Sequence, residues 1–146
     1  MSRYSAREAP RLPDDPQKFF RVATQRFAEA QFLFDGDRYA ASIYIAGYSI
    51  ECGIKALILA TEPDRGRRQL ADSFRGGGWH NFNRLIDVYL ERGGTPPPPK
   101  IARALTYVND EWSVELRYLA GERPFREAKG FIDSTDSILE WVKGRL

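Results

Sequence analysis

The segment DRYAASIYIAGYSIECGIKALIL, residues 37–59, is the most apolar part of this chain of 146 residues. Its apolar side chains recur at the period of an α-helix but cover more than one side of it, which is typical of a helix buried on several sides. One stripe comprises Ile43, Gly47, Ile50, Ile54 and Leu57, and the residues largely off it are Tyr44, Tyr48, Cys52 and Leu59. We therefore predict a helix from about Arg38 to Thr61, capped by Asp37, that is either the central helix or shared with a second subunit.

Amphipathic helices are predicted on both sides of this segment. Asp14, Asp15 and Pro16 form an acidic cap followed by a first-turn proline, and an apolar stripe continues from there to Gly36. Further helices are expected at about 81–91, after the prolines at 96–99, and from near Pro124. Residues 62–79 are predicted to form a loop, with room for a short helix or turn around 69–74.

The predicted fold class is all-α. No stretch alternates with the period of a β-strand over a convincing length, and the sequence contains no internal repeat and no domain boundary. Short connections between helical stripes predict an antiparallel helical bundle of about five helices. We assign this single domain to residues 14–146 and expect residues 1–13 to form a flexible N-terminal arm.

Composition excludes several classes of protein. The net charge of +2, from 22 basic and 20 acidic side chains, is too balanced for a dedicated nucleic-acid binder. A single histidine and a single cysteine, without paired carboxylates on a helix, argue against a zinc or di-iron centre, and no cofactor is expected. No apolar run reaches the ~18 residues of a membrane span and no signal peptide is recognised, so a cytoplasmic location is expected.

Three stretches carry a resemblance to a known family. The central segment combines a Tyr/Ala-rich run with an acidic residue and then Lys-Ala-Leu, at Tyr39, Ala40, Ala46, Gly47, Tyr48, Glu51, Lys55, Ala56 and Leu57. WHNFNRLIDVY at 79–89 and EWSVELRY at 111–118 follow in order. Together they resemble the HEPN family (higher eukaryotes and prokaryotes nucleotide-binding domains) over roughly residues 17–143, which implies a HEPN-like bundle.

The resemblance also implies a ligand-binding groove between helices. Its candidate residues here are Glu51, Lys55, Tyr48, Arg117 and Tyr118. A purely structural interpretation stays open for each group. Glu51 and Lys55 have the spacing of an ordinary intrahelical ion pair, and Arg117 with Tyr118 could close the fourth predicted helix.

Many HEPN members are metal-independent ribonucleases whose motif is an arginine, four to six residues, and then a histidine at a dimer interface. Arg75 and His80 have that spacing, but they precede the third predicted helix, and three glycines lie between them. Where the family places its motif, this chain has Glu115, Arg117 and Tyr118 without a histidine. His80 is therefore interpreted first as a residue at a helix start or in packing.

We predict a non-catalytic HEPN-like binding module for a nucleotide, RNA or a partner protein. The resemblance suggests a nucleotidyltransferase partner, in a toxin–antitoxin or defence system, and we hypothesise a homodimer because the central helix has more apolar surface than one bundle needs. A first alternative is an endoribonuclease that uses Arg75 and His80. A second alternative is a structural or scaffolding protein without a ligand.

Overall fold

The computed structural model describes residues 11–75 and 78–146 of the chain, and this part is helical and contains no strand. The helices are α1 (Pro16–Asp35), α2 (Tyr39–Ala60), α3 (Asp64–Asp72), α4 (Phe82–Glu91), α5 (Pro99–Glu111) and α6 (Phe125–Lys143), and a 3-10 helix (Val114–Tyr118) follows α5. The all-α prediction is confirmed. The arm predicted at 1–13 lies mostly outside the described residues.

Two helices begin where the sequence predicts, because a neighbouring side chain caps each of them. The Asp15 carboxylate accepts hydrogen bonds from the amides of Gln17 (2.7 Å) and Lys18 (3.2 Å) at the start of α1. At the start of α4, Asn81 Oδ1 accepts from the Arg84 amide at 3.0 Å. Each cap satisfies backbone donors that have no partner within the first helical turn.

Helix α2 is the centre of the bundle. Its Ser42 and Ser49 hydroxyls donate to the α1 carbonyls of Ala30 and Ala23, each at 2.8 Å, and the matching seven-residue steps fix an antiparallel register. Against α6, a Cβ placed on Gly53 would lie 2.9 Å from Leu139 Cδ2, so the helices approach closely there. Helices α1, α4 and α6 therefore all pack on α2.

By length and composition α2 could also cross a membrane, in contrast to the expectation from uninterrupted apolar runs. However, 72% of its most apolar window is buried inside the domain. Such burial is the property of a core helix, which has the same composition as a membrane span because it too excludes water.

The loop predicted at 62–79 is wrong in its first half, where α3 occupies Asp64–Asp72. Apolar periodicity is weak there because Ala71 is the one residue of this helix that is fully buried. Ion pairs support the helix instead: Arg67 with Asp64 at 2.5 Å, and Arg68 with Asp72 at 3.1 Å. The helix is therefore stabilised by charges that the hydrophobic pattern does not register.

The predicted cap of α2 is also wrong. Asp37 adopts a left-handed backbone conformation (φ 61°), and its carboxylate accepts from the Tyr39 hydroxyl at 2.9 Å. The α2 amide of Ala40 instead donates to Glu122, which lies 82 residues further along the chain. This amide lowers the pKa of the Glu122 carboxyl, and the Arg123 amide lowers it further. The start of α2 is thus capped by a tertiary contact.

Candidate functional site

A polar stripe runs along one side of α2. It consists of Tyr44, Tyr48, Glu51 and Lys55, whose spacings of four, three and four residues place them on one helical face. All four side chains carry a hydroxyl or a charge, although they lie on a mostly apolar helix. Because burial removes water from such groups, each of them needs a hydrogen-bond partner within the protein.

Glu51 is the centre of the stripe. Its carboxylate is buried, with Lys55 Nζ 2.8 Å from Oε2 and His80 Nδ1 2.7 Å from Oε1. A carboxylate accepts hydrogen bonds only, so His80 Nδ1 carries the proton and donates it to Glu51. The His80 side chain is 43% exposed, and its Nε2 atom is the ring nitrogen left over by this contact. The predicted Glu51–Lys55 pair therefore has a third member, which sequence analysis did not find.

Two tyrosines extend the stripe towards the start of α2. The hydroxyls of Tyr44 and Tyr48 lie 3.1 Å apart, and the Tyr48 ring meets Trp112 edge to face with centroids 5.3 Å apart. Burial raises the pKa of Tyr48 to about 12, assisted by the Tyr44 hydroxyl and the Glu51 charge. Tyr48 therefore stays a neutral hydroxyl at physiological pH.

Trp112 packs against the middle of α2, and this packing requires a glycine on the helix. Its Nε1 donates to the Tyr44 carbonyl at 3.1 Å, and its ring stacks on Phe82 with centroids 5.2 Å apart. A Cβ on Gly47 would lie 1.9 Å from Trp112 Nε1, so only glycine admits the indole at this position. The indole therefore rests directly on the α2 backbone.

A cavity of about 390 Å³ opens next to this stacked pair. Its apolar lining residues are Phe82, Trp112 and Val114. Its polar lining residues are His80, Asn81, Asn109, Ser113 and Glu115. The lining thus carries amide, hydroxyl, imidazole and carboxylate groups, but it includes no arginine or lysine side chain among the described residues.

Arg117 and Tyr118 lie in the 3-10 helix, so the interpretation that they close the preceding helix is wrong: α5 ends at Glu111. The Arg117 guanidinium sits 4.8 Å from the centroid of the Tyr118 ring, which is 73% exposed. The Tyr118 hydroxyl and then the Tyr44 hydroxyl raise the pKa of Arg117. Arg117 is therefore an exposed cation at the Tyr44 end of the stripe.

Arg75 is exposed, and within the described residues no hydrogen bond or ion pair joins it to His80. Gly76 and Gly77, between them in sequence, lie outside the described part. In 11–75 and 78–146 no group of three or more histidine, cysteine or acidic side chains is arranged to hold a metal ion. Burial raises the pKa of Cys52 to about 11, which keeps its thiol protonated and unreactive.

Comparison with known proteins gives a consistent result. The family described as HEPN domain matches residues 16–145. A similar solved structure is that of TT1696 from Thermus thermophilus, with a TM-score of 0.65 and 21% identity over 92% of this chain and 100% of that one. A second is ST0689, described as an archaeal HEPN homologue, with a TM-score of 0.59 and 21% identity over 89% and 96% of the two chains. No curated protein matches this chain.

Proposed function

The chain belongs to the HEPN domain family, and from that premise we propose that it is a non-catalytic module that binds a nucleotide in a groove formed by the cavity between the start of α4 and the end of α5 and by the adjoining 3-10 helix. The observation that carries the proposal is the division of the groove into two chemically different parts. The cavity at His80 is lined by neutral and acidic polar groups together with aromatic side chains, and the cation Arg117 lies outside it.

This division matches the two parts of a nucleotide. The volume of about 390 Å³ is that of a small-molecule site. The Asn81 and Asn109 amides can pair with base edges, while Glu115 at the rim repels phosphate from the interior. Arg117 offers a planar guanidinium for the phosphate. We therefore expect the nucleoside to enter the cavity and the phosphate to face Arg117.

The test is calorimetric titration of the protein with AMP, GMP and a short single-stranded RNA. Arg117→Ala is expected to weaken binding about tenfold or more, because a hydrogen bond to a charged group contributes about 1.5–3 kcal/mol. Arg21→Ala is the matched control, since Arg21 is an exposed arginine on α1, which does not line the groove. Absence of binding to all three probes contradicts the proposal and leaves the scaffolding alternative.

The homodimer and the nucleotidyltransferase partner belong to the same proposal, as does a role in a toxin–antitoxin or defence system of the cytoplasm. Tyr118 and Leu119 next to Arg117 are 73% and 68% exposed, and a partner covering the groove would bury them. Light scattering at micromolar concentration tests the dimer. A monomer under those conditions contradicts it.

One observation favours the ribonuclease alternative. Glu51 fixes His80 through Nδ1 and leaves Nε2 to accept a proton, as a general base must. If the protein cleaves RNA, His80→Ala should abolish cleavage while circular dichroism shows an intact fold. Arg75→Ala then tests the arginine of the motif. Equal cleavage by His80→Ala, or no cleavage by the wild type, rejects this alternative.

A further inference from the structure

We infer that Phe74 is a positioning residue for His80, acting through Lys55 and Glu51. Phe74 lies just beyond the end of α3, outside the polar stripe, and no resemblance in the sequence points to it. The inference concerns the free protein and does not depend on which ligand the groove binds.

The first step is the contact between Phe74 and Lys55. The Lys55 ammonium is 5.5 Å from the centroid of the Phe74 ring, within the range of a cation–π interaction. Both side chains are buried, with residue exposures of 5% for Lys55 and 3% for Phe74. A buried ammonium is strongly attracted by an aromatic face because no water competes for it, so the ring holds Lys55 in place.

The second step leads from Lys55 to the imidazole. Lys55 Nζ binds Glu51 Oε2 at 2.8 Å, which leaves Oε1 to meet His80 Nδ1 at 2.7 Å. Each partner therefore binds a different oxygen of the Glu51 carboxylate. Because the contact of Oε2 with Lys55 is buried, it fixes the plane of the carboxylate. The orientation of the exposed imidazole follows from that plane.

Phe74 is itself held on two sides. Its ring meets Phe19 of α1 edge to face at 5.9 Å and Trp79 at 5.1 Å. Trp79 directly precedes His80, and Arg84 of α4 lies 5.6 Å from its ring. Phe74 thus connects α1, the end of α3 and the residue next to His80. These contacts hold the Phe74 ring in place against Lys55.

The test reads the proton on the imidazole, since His80 is the only histidine of the chain. Nitrogen-15 NMR, at a pH where the ring is neutral, should show the Nδ1–H tautomer in the wild type. Phe74→Leu should lose this preference and move both nitrogen shifts towards those of a free histidine. Phe74→Tyr keeps an aromatic face and should restore the preference.

Phe131→Leu is the control, because Phe131 is an equally buried ring on α6 that does not line the cavity, and it should keep the wild-type tautomer. An Nε2–H tautomer in the wild type overturns the inference, as does an unchanged tautomer in folded Phe74→Leu. If Phe74→Leu does not fold, Lys55→Met is read in the same way, and retention of the Nδ1–H form there overturns it too. None of these readings needs a ligand, so failure of nucleotide binding would leave them unaffected.

Discussion

Helix α2 carries two polar stripes whose buried groups find different kinds of partner. On the side of α1, Ser42 and Ser49 are small, and each hydroxyl donates to a backbone carbonyl of the neighbouring helix. On the other side, Glu51 and Lys55 are large and charged, and Glu51 pairs both with Lys55 and with His80. The first stripe closes the interface between two helices, whereas the Glu51–Lys55 pair is buried and its further partner His80, 43% exposed, lines the cavity.

The difference shows how the size and charge of a buried polar side chain decide which partner it takes. A serine hydroxyl bound to a carbonyl adds little bulk, so α1 and α2 can lie close together and exclude ligands. Glu51 and Lys55 are larger and charged, and they take side chains as partners: Lys55 binds Glu51, and Glu51 also binds His80. A buried polar group in an apolar helix is thus satisfied by a backbone carbonyl where a neighbouring helix is close, and by other side chains where the group is charged.

The largest expected effect is on the charged stripe. Lys55→Met leaves Glu51 as a buried carboxylate with only His80 as a partner, and it should lower the free energy of unfolding by about 3 kcal/mol. Urea denaturation measures this loss. The double variant Glu51→Gln with Lys55→Met should recover most of it, because no unpaired charge remains. A single variant as stable as the wild type would contradict the assignment of a buried pair.

The next effect is on the tight interface at Gly53. Gly53→Leu places a side chain where a Cβ would already lie 2.9 Å from Leu139 Cδ2 and 4.0 Å from Ala23 Cβ. Overpacking should lower the free energy of unfolding by about 2 kcal/mol. Gly53→Ala is the smaller control, and a higher helix propensity of about 1 kcal/mol offsets part of its cost. Equal stability of the leucine variant and the wild type would show that the interface is loose.

A smaller loss of stability is expected in the serine stripe, without a change in nucleotide affinity. Ser49→Ala removes one hydrogen bond to Ala23 and should lower the free energy of unfolding by about 1 kcal/mol. Nucleotide affinity, measured on the same protein by calorimetry, should not change, because Ser49 faces α1 and not the groove. A loss of affinity here would mean that the serine stripe also shapes the groove.

The smallest effect concerns the start of α2, where both stripes begin. The hydrogen bond from the Ala40 amide lowers the pKa of Glu122, so its contribution to stability is present above the ordinary glutamate pKa of about 4.3 and is lost as the pH falls through the lowered value. The unfolding temperature of the wild type should therefore be higher than that of Glu122→Gln near neutral pH, and this difference should disappear in acid. A difference that persists in acid would assign the cap to another group.

Sequence analysis predicted the helices whose signals are local. Asp15 and Pro16 start α1 within three residues of the amides that they serve, and Gly36 ends it. The apolar helix at α2 and the Glu51–Lys55 pair are equally local, since four residues separate the two charges. Helix α3 was missed because its support comes from charges rather than from an apolar stripe.

Contacts between distant parts of the chain were out of reach. Glu122 replaces Asp37 as the cap of α2 from 82 residues away, and His80 joins Glu51 from 29 residues away. The HEPN resemblance named Glu51, Lys55, Tyr48, Arg117 and Tyr118 as candidates for a ligand-binding groove, and none of these five residues lines the cavity of about 390 Å³. The contact of His80 with Glu51 and that of Phe74 with Lys55 have no counterpart in any spacing of the sequence.

The amino-acid sequence by itself therefore determined the helical fold, the central position of α2 and the presence of a buried acid and base on it. These features follow from backbone hydrogen bonding and burial, which act over three or four residues. Only the tertiary structure decided which outside groups complete that pair and where the groove opens. A buried charge takes whichever partner the packing of remote helices brings within about 3 Å, and packing depends on the whole chain.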